Sequence, residues 1–150
     1  MKTLCAAVWL MVAAQTGMAS AGAEDCAPAL AVTRLSDGAV LVRAQGDFFA
    51  LSYRHSVTLS TVRAEYRTAA DGRIHQLSER FTDLGPGMSH TGTPPERDGD
   101  AWILRMDTVI ERLVLRPQPA AENRLHLPDR EVDLTRWPGQ PLEILPLPCP

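Results

Sequence analysis

Two adjacent residues, His55 and Ser56, are of the types that perform nucleophilic catalysis, because a histidine can take the proton of a serine hydroxyl. Both lie in a stretch from residue 48 to residue 57 in which residues alternate with a period of two, as in a half-buried strand. Adjacent side chains of a strand point to opposite faces, so these two residues cannot form a base–nucleophile pair. The chain also lacks the G-x-S-x-G motif of a nucleophile elbow. The sequence therefore disfavours acyl-transfer chemistry.

His55 stands on the apolar face of this stretch, on the same side as Phe49, Leu51, Tyr53 and Val57. A histidine in that position is either a core residue whose ring is satisfied by hydrogen bonds or the floor of a site. As a site residue it would donate or accept a hydrogen bond and could respond to pH near neutrality. The residues alone leave both interpretations open.

Other candidate chemistry is weakly supported. The four histidines do not have metal-ligand spacing, and the Gly85-x-Gly87 pattern lacks the strand–glycine–helix context and the lysine of a phosphate loop. We therefore predict neither a metal nor a cofactor. Arg54 and Glu65 are expected on the outer face of paired strands, either as a solvated ion pair or as the charged rim of a ligand site.

The elements that must position these residues are short strands separated by frequent turn signals. They predict an all-β fold, an antiparallel sandwich or partly open barrel of about eight or nine short strands with little helix. Besides the strand over 48–57, the pattern predicts two strands over 101–106 and 109–115. Residues 84–99 are rich in glycine and proline and predict a long loop, either a functional lid or a disordered segment.

The N-terminus has the features of a secretory signal peptide. Lys2 precedes an apolar run over residues 4–14, and small residues after it allow cleavage after Ala23 or Ala21. We therefore expect a cleaved signal peptide over residues 1–23 and a single β domain over residues 24–150, located in the periplasm. The apolar run is too short to span a bilayer and no second run could, so the mature chain is expected not to be membrane-spanning.

Cysteine positions agree with export. Cys5 would leave with the signal peptide, and the two cysteines that remain, Cys26 and Cys149, can form one intramolecular disulfide in an oxidising compartment. We interpret that disulfide as a structural staple, since the chain has no C-x-x-C redox motif. The formal net charge of −3 and the scattered arginines give no reason to expect nucleic acid as a partner.

The chain resembles a small bacterial family, the domain-of-unknown-function family numbered eighteen-fifty. The resemblance rests on five pieces in order: Phe49-x-Leu51-x-Tyr53-x-His55-Ser56-Val57, Ser60-Thr61-Val62 with Glu65-Tyr66, Asp71-Gly72, Gly85-Pro86-Gly87-Met88, and Asp129-Arg130-Glu131-Val132. The family's members are exported proteins that are often encoded beside TRAP transporters of the TAXI type. The resemblance thus implies a role in solute uptake, and it carries over no catalytic residue.

Together these observations favour a non-enzymatic accessory or binding protein. Its partner would be a TRAP transporter component or a small solute. The candidate binding residues are the motif residues that surround the histidine and the glycine loop: Tyr53, His55, Ser56, Glu65, Gly85, Gly87 and Met88. Two alternatives remain: an enzyme, perhaps hydrolytic, with His55 as general base and an acid such as Glu65, and a structural envelope protein with His55 as a core residue.

Overall fold

A computed structural model describes residues 28–69, 71–88, 90 and 92–147. The expected signal peptide over residues 1–23 and both cysteines of the expected disulfide, Cys26 and Cys149, lie outside the described residues. Eleven strands are found within them, in chain order β1 (Ala29–Arg34), β2 (Val40–Gln45), β3 (Phe48–Arg54), β4 (Thr61–Thr68), β5 (Ile74–Phe81), β6 (Glu96–Asp98), β7 (Ala101–Ile110), β8 (Leu113–Leu115), β9 (Arg124–His126), β10 (Glu131–Asp133) and β11 (Leu142–Leu147). Two short 3-10 turns occur at Pro119–Ala121 and Leu134–Arg136.

The strands form two antiparallel sheets. The smaller sheet has the order β2-β1-β11-β8, and the larger has the order β10-β9-β3-β4-β5-β7-β6. Neither order closes on itself among the described strands, so the prediction of an all-β antiparallel fold is confirmed in the form of a sandwich. No helix in the described part of the chain has the length and apolar character needed to cross a membrane.

The main core lies where the inner faces of the two sheets meet. Leu30 and Ile144 of the smaller sheet and Phe49 and Leu125 of the larger sheet are almost completely buried. The ring of Phe49 stacks on that of Tyr66 with 5.1 Å between centroids, which links β3 to β4 across the pleat. Burying each large apolar side chain stabilises the fold by about 1.5–3 kcal/mol. The alternation along β3 is therefore explained by a core on its inner face.

A second apolar cluster lies on the same inner face of the larger sheet, toward its β5–β7 side. Its buried members are Val62, Phe81 and Leu104, and partly buried side chains pack around them: Tyr53, Met88, Trp102 and Met106. Every member comes from the larger sheet except Met88, which belongs to the loop after β5. Met88 therefore packs on a part of the larger sheet where no residue of the smaller sheet belongs to the cluster.

The predicted strand over 48–57 is too long at its C-terminal end. β3 ends at Arg54, and His55 begins a turn that is closed by hydrogen bonds from His55 N to Ser60 O (2.8 Å) and from Leu59 N to His55 O (2.9 Å). His55 and Ser56 are therefore turn residues, and strand alternation does not decide where their side chains point.

The other differences concern the second half of the chain. The predicted strands over 101–106 and 109–115 are instead β7, which is continuous from Ala101 to Ile110, and β8, which joins the other sheet. The chain crosses between the sheets at residues 111–112, because β8 finds its partner in β11 and not in the larger sheet. The predicted loop over 84–99 ends in the exposed edge strand β6, so the described strands outnumber the predicted eight or nine.

Candidate functional site

The His55 ring is buried, with 6% of the residue exposed, and it bonds to the main chain at both nitrogens. Its Nδ1 accepts hydrogen bonds from the amides of Val57 (3.3 Å) and Thr58 (3.2 Å), and its Nε2 lies 3.0 Å from the carbonyl oxygen of Pro86. These partners fit a neutral ring that carries its proton on Nε2, because Nδ1 must accept and the carbonyl oxygen can only accept. The ring thus ties the turn after β3 to the loop after β5.

Gly85 provides the space for this ring. A Cβ atom at residue 85 would lie 2.6 Å from Cε1 of His55, closer than a real Cβ contact allows. Gly85 does not have a positive φ, so the requirement for glycine here is close packing and not a special backbone conformation. Its amide contacts Met88 Sδ at 3.2 Å, and Met88 in turn packs on the second apolar cluster.

Tyr53 forms the polar edge of this region beside a buried acid, Glu79. Glu79 is only 4% exposed and lies opposite Ala64 and Leu104 in the register of the larger sheet, on its inner face. Burial, and secondarily the Glu79 charge, raises the pKa of the Tyr53 phenol. Burial, then Glu79, then Tyr53 raises the pKa of Tyr66 to about 12. Both phenols are therefore protonated at neutral pH and can act as hydrogen-bond donors.

Sequence reasoning missed Glu79 because a register shift hides its orientation. Strict alternation from the inward-facing Ile74 would place residue 79 on the outer face. The pairing of β5 with β4 shifts by one residue between Gln76 and Ser78, which turns Glu79 and Phe81 inward. Counting backward from Phe81 would have placed the acid correctly, but nothing in the sequence marks the bulge.

Three large apolar side chains are exposed around the His55 ring. Val57 is 65%, Leu59 is 59% and Leu84 is 68% exposed. We call the turn 55–60 and the loop 84–88 together the His55 tip. Leu59 also has a φ of +58°, a left-handed conformation that is costly for a leucine. Two predicted site residues, Ser56 and Gly87, lie exposed on the same tip.

Glu65 lies apart from the other predicted site residues. Its side chain is on the outer face of the larger sheet, where Oε2 accepts a hydrogen bond from Ser78 Oγ at 2.8 Å. Arg54 shares that face but is not its neighbour, since the register places Thr61 opposite Arg54 and Ala50 opposite Glu65. The expected pairing of Arg54 with Glu65 is therefore wrong. Arg54 instead lies near Glu122, at 3.5 Å.

The structure thus brings Tyr53, His55, Gly85 and Met88 together, keeps Ser56 and Gly87 at the exposed rim, and separates Glu65. The family model described as "Domain of unknown function (DUF1850)" matches residues 49–134, which is more than half of the chain and includes all of these residues. The chain belongs to the DUF1850 family. Comparison with curated proteins and with solved structures finds no match.

Two separated pieces of the DUF1850 resemblance, the histidine motif and the glycine motif, therefore meet at one contact. Both ring nitrogens of His55 are used by main-chain groups, so the ring holds the two loops in fixed positions and presents no free nitrogen to a substrate. What the arrangement offers to a partner is the shape of the His55 tip and its exposed apolar side chains.

Proposed function

We propose that this DUF1850 protein is an exported accessory protein that assists TRAP-type solute uptake. It docks through the His55 tip on a component of a TAXI-type transporter. The observation that carries the proposal is the exposure of Val57, Leu59 and Leu84 on two loops that one buried histidine locks together. The transporter as partner is supported by the gene context that the family resemblance implies.

Physical considerations favour a protein partner for this tip. Single exposed apolar residues are ordinary, but three large ones on two locked loops are typical of an interaction site. Loops that are fixed before binding lose less conformational entropy when a partner orders them, so more of the contact energy is realised as affinity. The same His55 contacts disfavour the alternative of a general base, since the ring would have to break main-chain hydrogen bonds to accept a proton.

The test is binding of the purified mature protein to the neighbouring transporter's solute-binding component and to its membrane subunits in detergent. We expect one of them to bind, and the double variant Val57→Asp with Leu84→Asp to weaken binding by at least tenfold, because it places charge in an apolar contact. The matched control is Val40→Asp with Val114→Asp, two exposed valines of the smaller sheet, which are 45% and 40% exposed.

The control variant should bind like the wild type, and all variants should keep the wild-type melting temperature. Equal weakening by both double variants would show that general surface charge, and not the tip, is responsible. Absence of binding to any component, together with intact solute uptake in a deletion strain, would contradict the proposal.

A further inference from the structure

On the outer face of the larger sheet, three side chains from three strands lie in contact, one pair by a hydrogen bond and the other by a close approach of a carboxylate to a ring nitrogen. Ser52 Oγ of β3 lies 2.8 Å from Nε2 of His126 on β9. Nδ1 of the same ring lies 3.1 Å from Oε2 of Glu131 on β10. The register explains their meeting, since Ala50 is opposite His126, His126 is opposite Glu131, and Ser52 shares a face with Ala50.

The order of atoms in this chain is that of a Ser–His–acid triad. The Glu131 carboxylate lies 3.1 Å from Nδ1, and its negative charge favours the tautomer with the proton on Nδ1, in which Nε2 accepts the serine proton. We propose that Ser52, His126 and Glu131 form an acyl-transfer site that hydrolyses esters carrying a negatively charged group. Ser52 is the nucleophile, His126 the general base, and Glu131 a positioning residue. The proposal does not depend on the His55 tip, which is formed by the turn 55–60 and the loop 84–88.

The electrostatics around His126 suit a general base. Burial lowers the pKa of the ring, as do the charges of Arg63 and Arg124, while the Glu131 charge opposes them. Arg63 lies on β4, Arg124 lies on β9 with the histidine, and Glu131 lies on β10. Because its pKa lies below the ordinary value, a larger fraction of the ring is neutral at pH 7 than for an ordinary histidine, and the neutral ring can accept a proton.

Two arginines flank the proposed nucleophile. Arg63 and Arg124 are the register partners of Ser52 on its two sides, so both share its face of the sheet. Their side chains are 38% and 43% exposed. Guanidinium groups at these positions can stabilise the oxyanion that develops on an ester carbonyl, because negative charge grows there in the transition state.

An adjacent cleft explains why a charged ester is the expected substrate. It begins at Arg124 and Glu131, has a volume of about 550 Å³, and is also lined by Arg43, Arg130, Arg136 and Asp133, so that its four arginines outnumber its two carboxylates. A carboxylate or phosphate on the substrate would find bidentate donors in this cleft. A neutral ester of the same size would leave the arginines without that contact.

The proposed reaction balances without any cofactor. Ser52 Oγ attacks the ester carbonyl and its proton passes to His126 Nε2; the C–O bond then breaks, and the ring returns the proton to the leaving alkoxide. An alcohol and an acyl-serine result. Water next attacks the acyl carbon while the ring takes its proton; the bond between the acyl carbon and Ser52 Oγ then breaks, the ring returns the proton to Oγ, and a carboxylic acid is released.

The larger sheet also supplies a matched control serine. Ser78 lies on the same outer face, on β5, is 7% exposed where Ser52 is 8% exposed, and donates to the Glu65 carboxylate at 2.8 Å. Its hydroxyl therefore bonds to a carboxylate and not to a histidine. A reagent that reacts with any serine of this low exposure would label both Ser52 and Ser78. A reagent that requires an activated hydroxyl would label Ser52 alone.

The experiment treats the folded mature protein with a fluorophosphonate probe and locates the adduct by mass spectrometry. We expect labelling of Ser52 and not of Ser78. Ser52→Ala and His126→Asn should each reduce para-nitrophenyl ester hydrolysis about 100-fold or more, and Glu131→Gln by at least tenfold. Ser78→Ala should hydrolyse the ester at the wild-type rate. A wild-type melting curve is required of each variant.

Two further measurements separate catalysis from a structural network. The rate should rise with pH through the lowered pKa of His126 and level off at a lower pH than an ordinary histidine would give, because only the neutral ring accepts a proton. A para-nitrophenyl hemisuccinate should be hydrolysed faster than the neutral acetate. An unlabelled Ser52, or labelling that survives His126→Asn, would overturn the site, and equal rates on the two esters would overturn the proposed substrate class.

Discussion

His55 uses its whole hydrogen-bonding capacity on the main chain, so its contribution at the scale of a single residue is to fix distances. Its Nδ1 fastens two amides of its own turn, and its Nε2 fastens the carbonyl of Pro86. The ring also lies against Gly85, where no side chain fits. The histidine and the glycine of the family resemblance are therefore halves of one contact, and each explains the residue type of the other.

The first prediction tests that contact. Gly85→Ala should reduce the free energy of unfolding by about 1–3 kcal/mol, because the new methyl group overpacks a ring that cannot move without breaking its hydrogen bonds. In a His55→Ala background the same change should cost less than about 0.5 kcal/mol, because the ring that it meets has been removed. Urea unfolding of the four proteins of this cycle gives the coupling directly. Equal costs in the two backgrounds would show that Gly85 is needed for some other reason.

At the scale of elements, the turn between β3 and β4 combines a locked base with a strained apex. Leu59 has a φ of +58° and is 59% exposed, so it has an unfavourable backbone conformation and little packing in return. Such strain is retained where the surrounding structure enforces it, and here the turn hydrogen bonds of His55 do so.

The second prediction follows from this strain. Leu59→Asn should stabilise the fold by about 0.5–1 kcal/mol, because asparagine tolerates the left-handed region and the exposed leucine loses little packing. Binding of the transporter component should weaken at the same time. Val57→Asn is the control for polarity, since Val57 is equally exposed but its φ is not positive. A thermal melt that is unchanged or lowered in Leu59→Asn alone would contradict the strain argument.

The strands show which parts of the fold a sequence can predict. The alternation of β3 is visible because its inner face packs in the core, so Phe49, Leu51 and Tyr53 could be assigned to one side. The end of β3 could not be predicted from the alternation, because the turn that follows is held by hydrogen bonds from two main-chain amides to the His55 ring. The one-residue shift in β5 likewise left no mark, and it reverses the orientation of Glu79.

The candidate sites were predictable to different degrees. The grouping of His55 with Gly85 and Met88 came from the family resemblance, which includes both segments. Hydrophobic periodicity describes one strand at a time and could not show that the two loops meet. Ser52 and His126 are 74 residues apart, and only the order of strands in the sheet brings them together. Strand order is a property of the whole fold, so sequence reasoning considered the adjacent pair His55 and Ser56 and disfavoured acyl transfer.

At the scale of the whole molecule, the two ends of the described chain lie side by side. β1 and β11 pair in the smaller sheet, with Ala29 directly opposite Leu147. Cys26 precedes the first of these residues closely in sequence, and Cys149 follows the second. Both cysteines lie outside the described residues, so the disulfide between them stays a prediction from the sequence.

The third prediction concerns that disulfide and the stability of the domain. Protein produced in an oxidising compartment should show no reactive thiol on alkylation and mass analysis. Closing nearly the whole domain restricts the unfolded chain, so Cys26→Ser should lower the free energy of unfolding by up to about 4–5 kcal/mol. Cys149→Ser and the double variant should lower the free energy of unfolding by the same amount, since the same disulfide is lost in each case. Reduced wild-type protein should unfold at the urea concentration of the double variant. If reduction leaves the unfolding midpoint unchanged, or if two thiols react in the oxidised protein, the ends of the domain are held by the pairing of β1 with β11 alone.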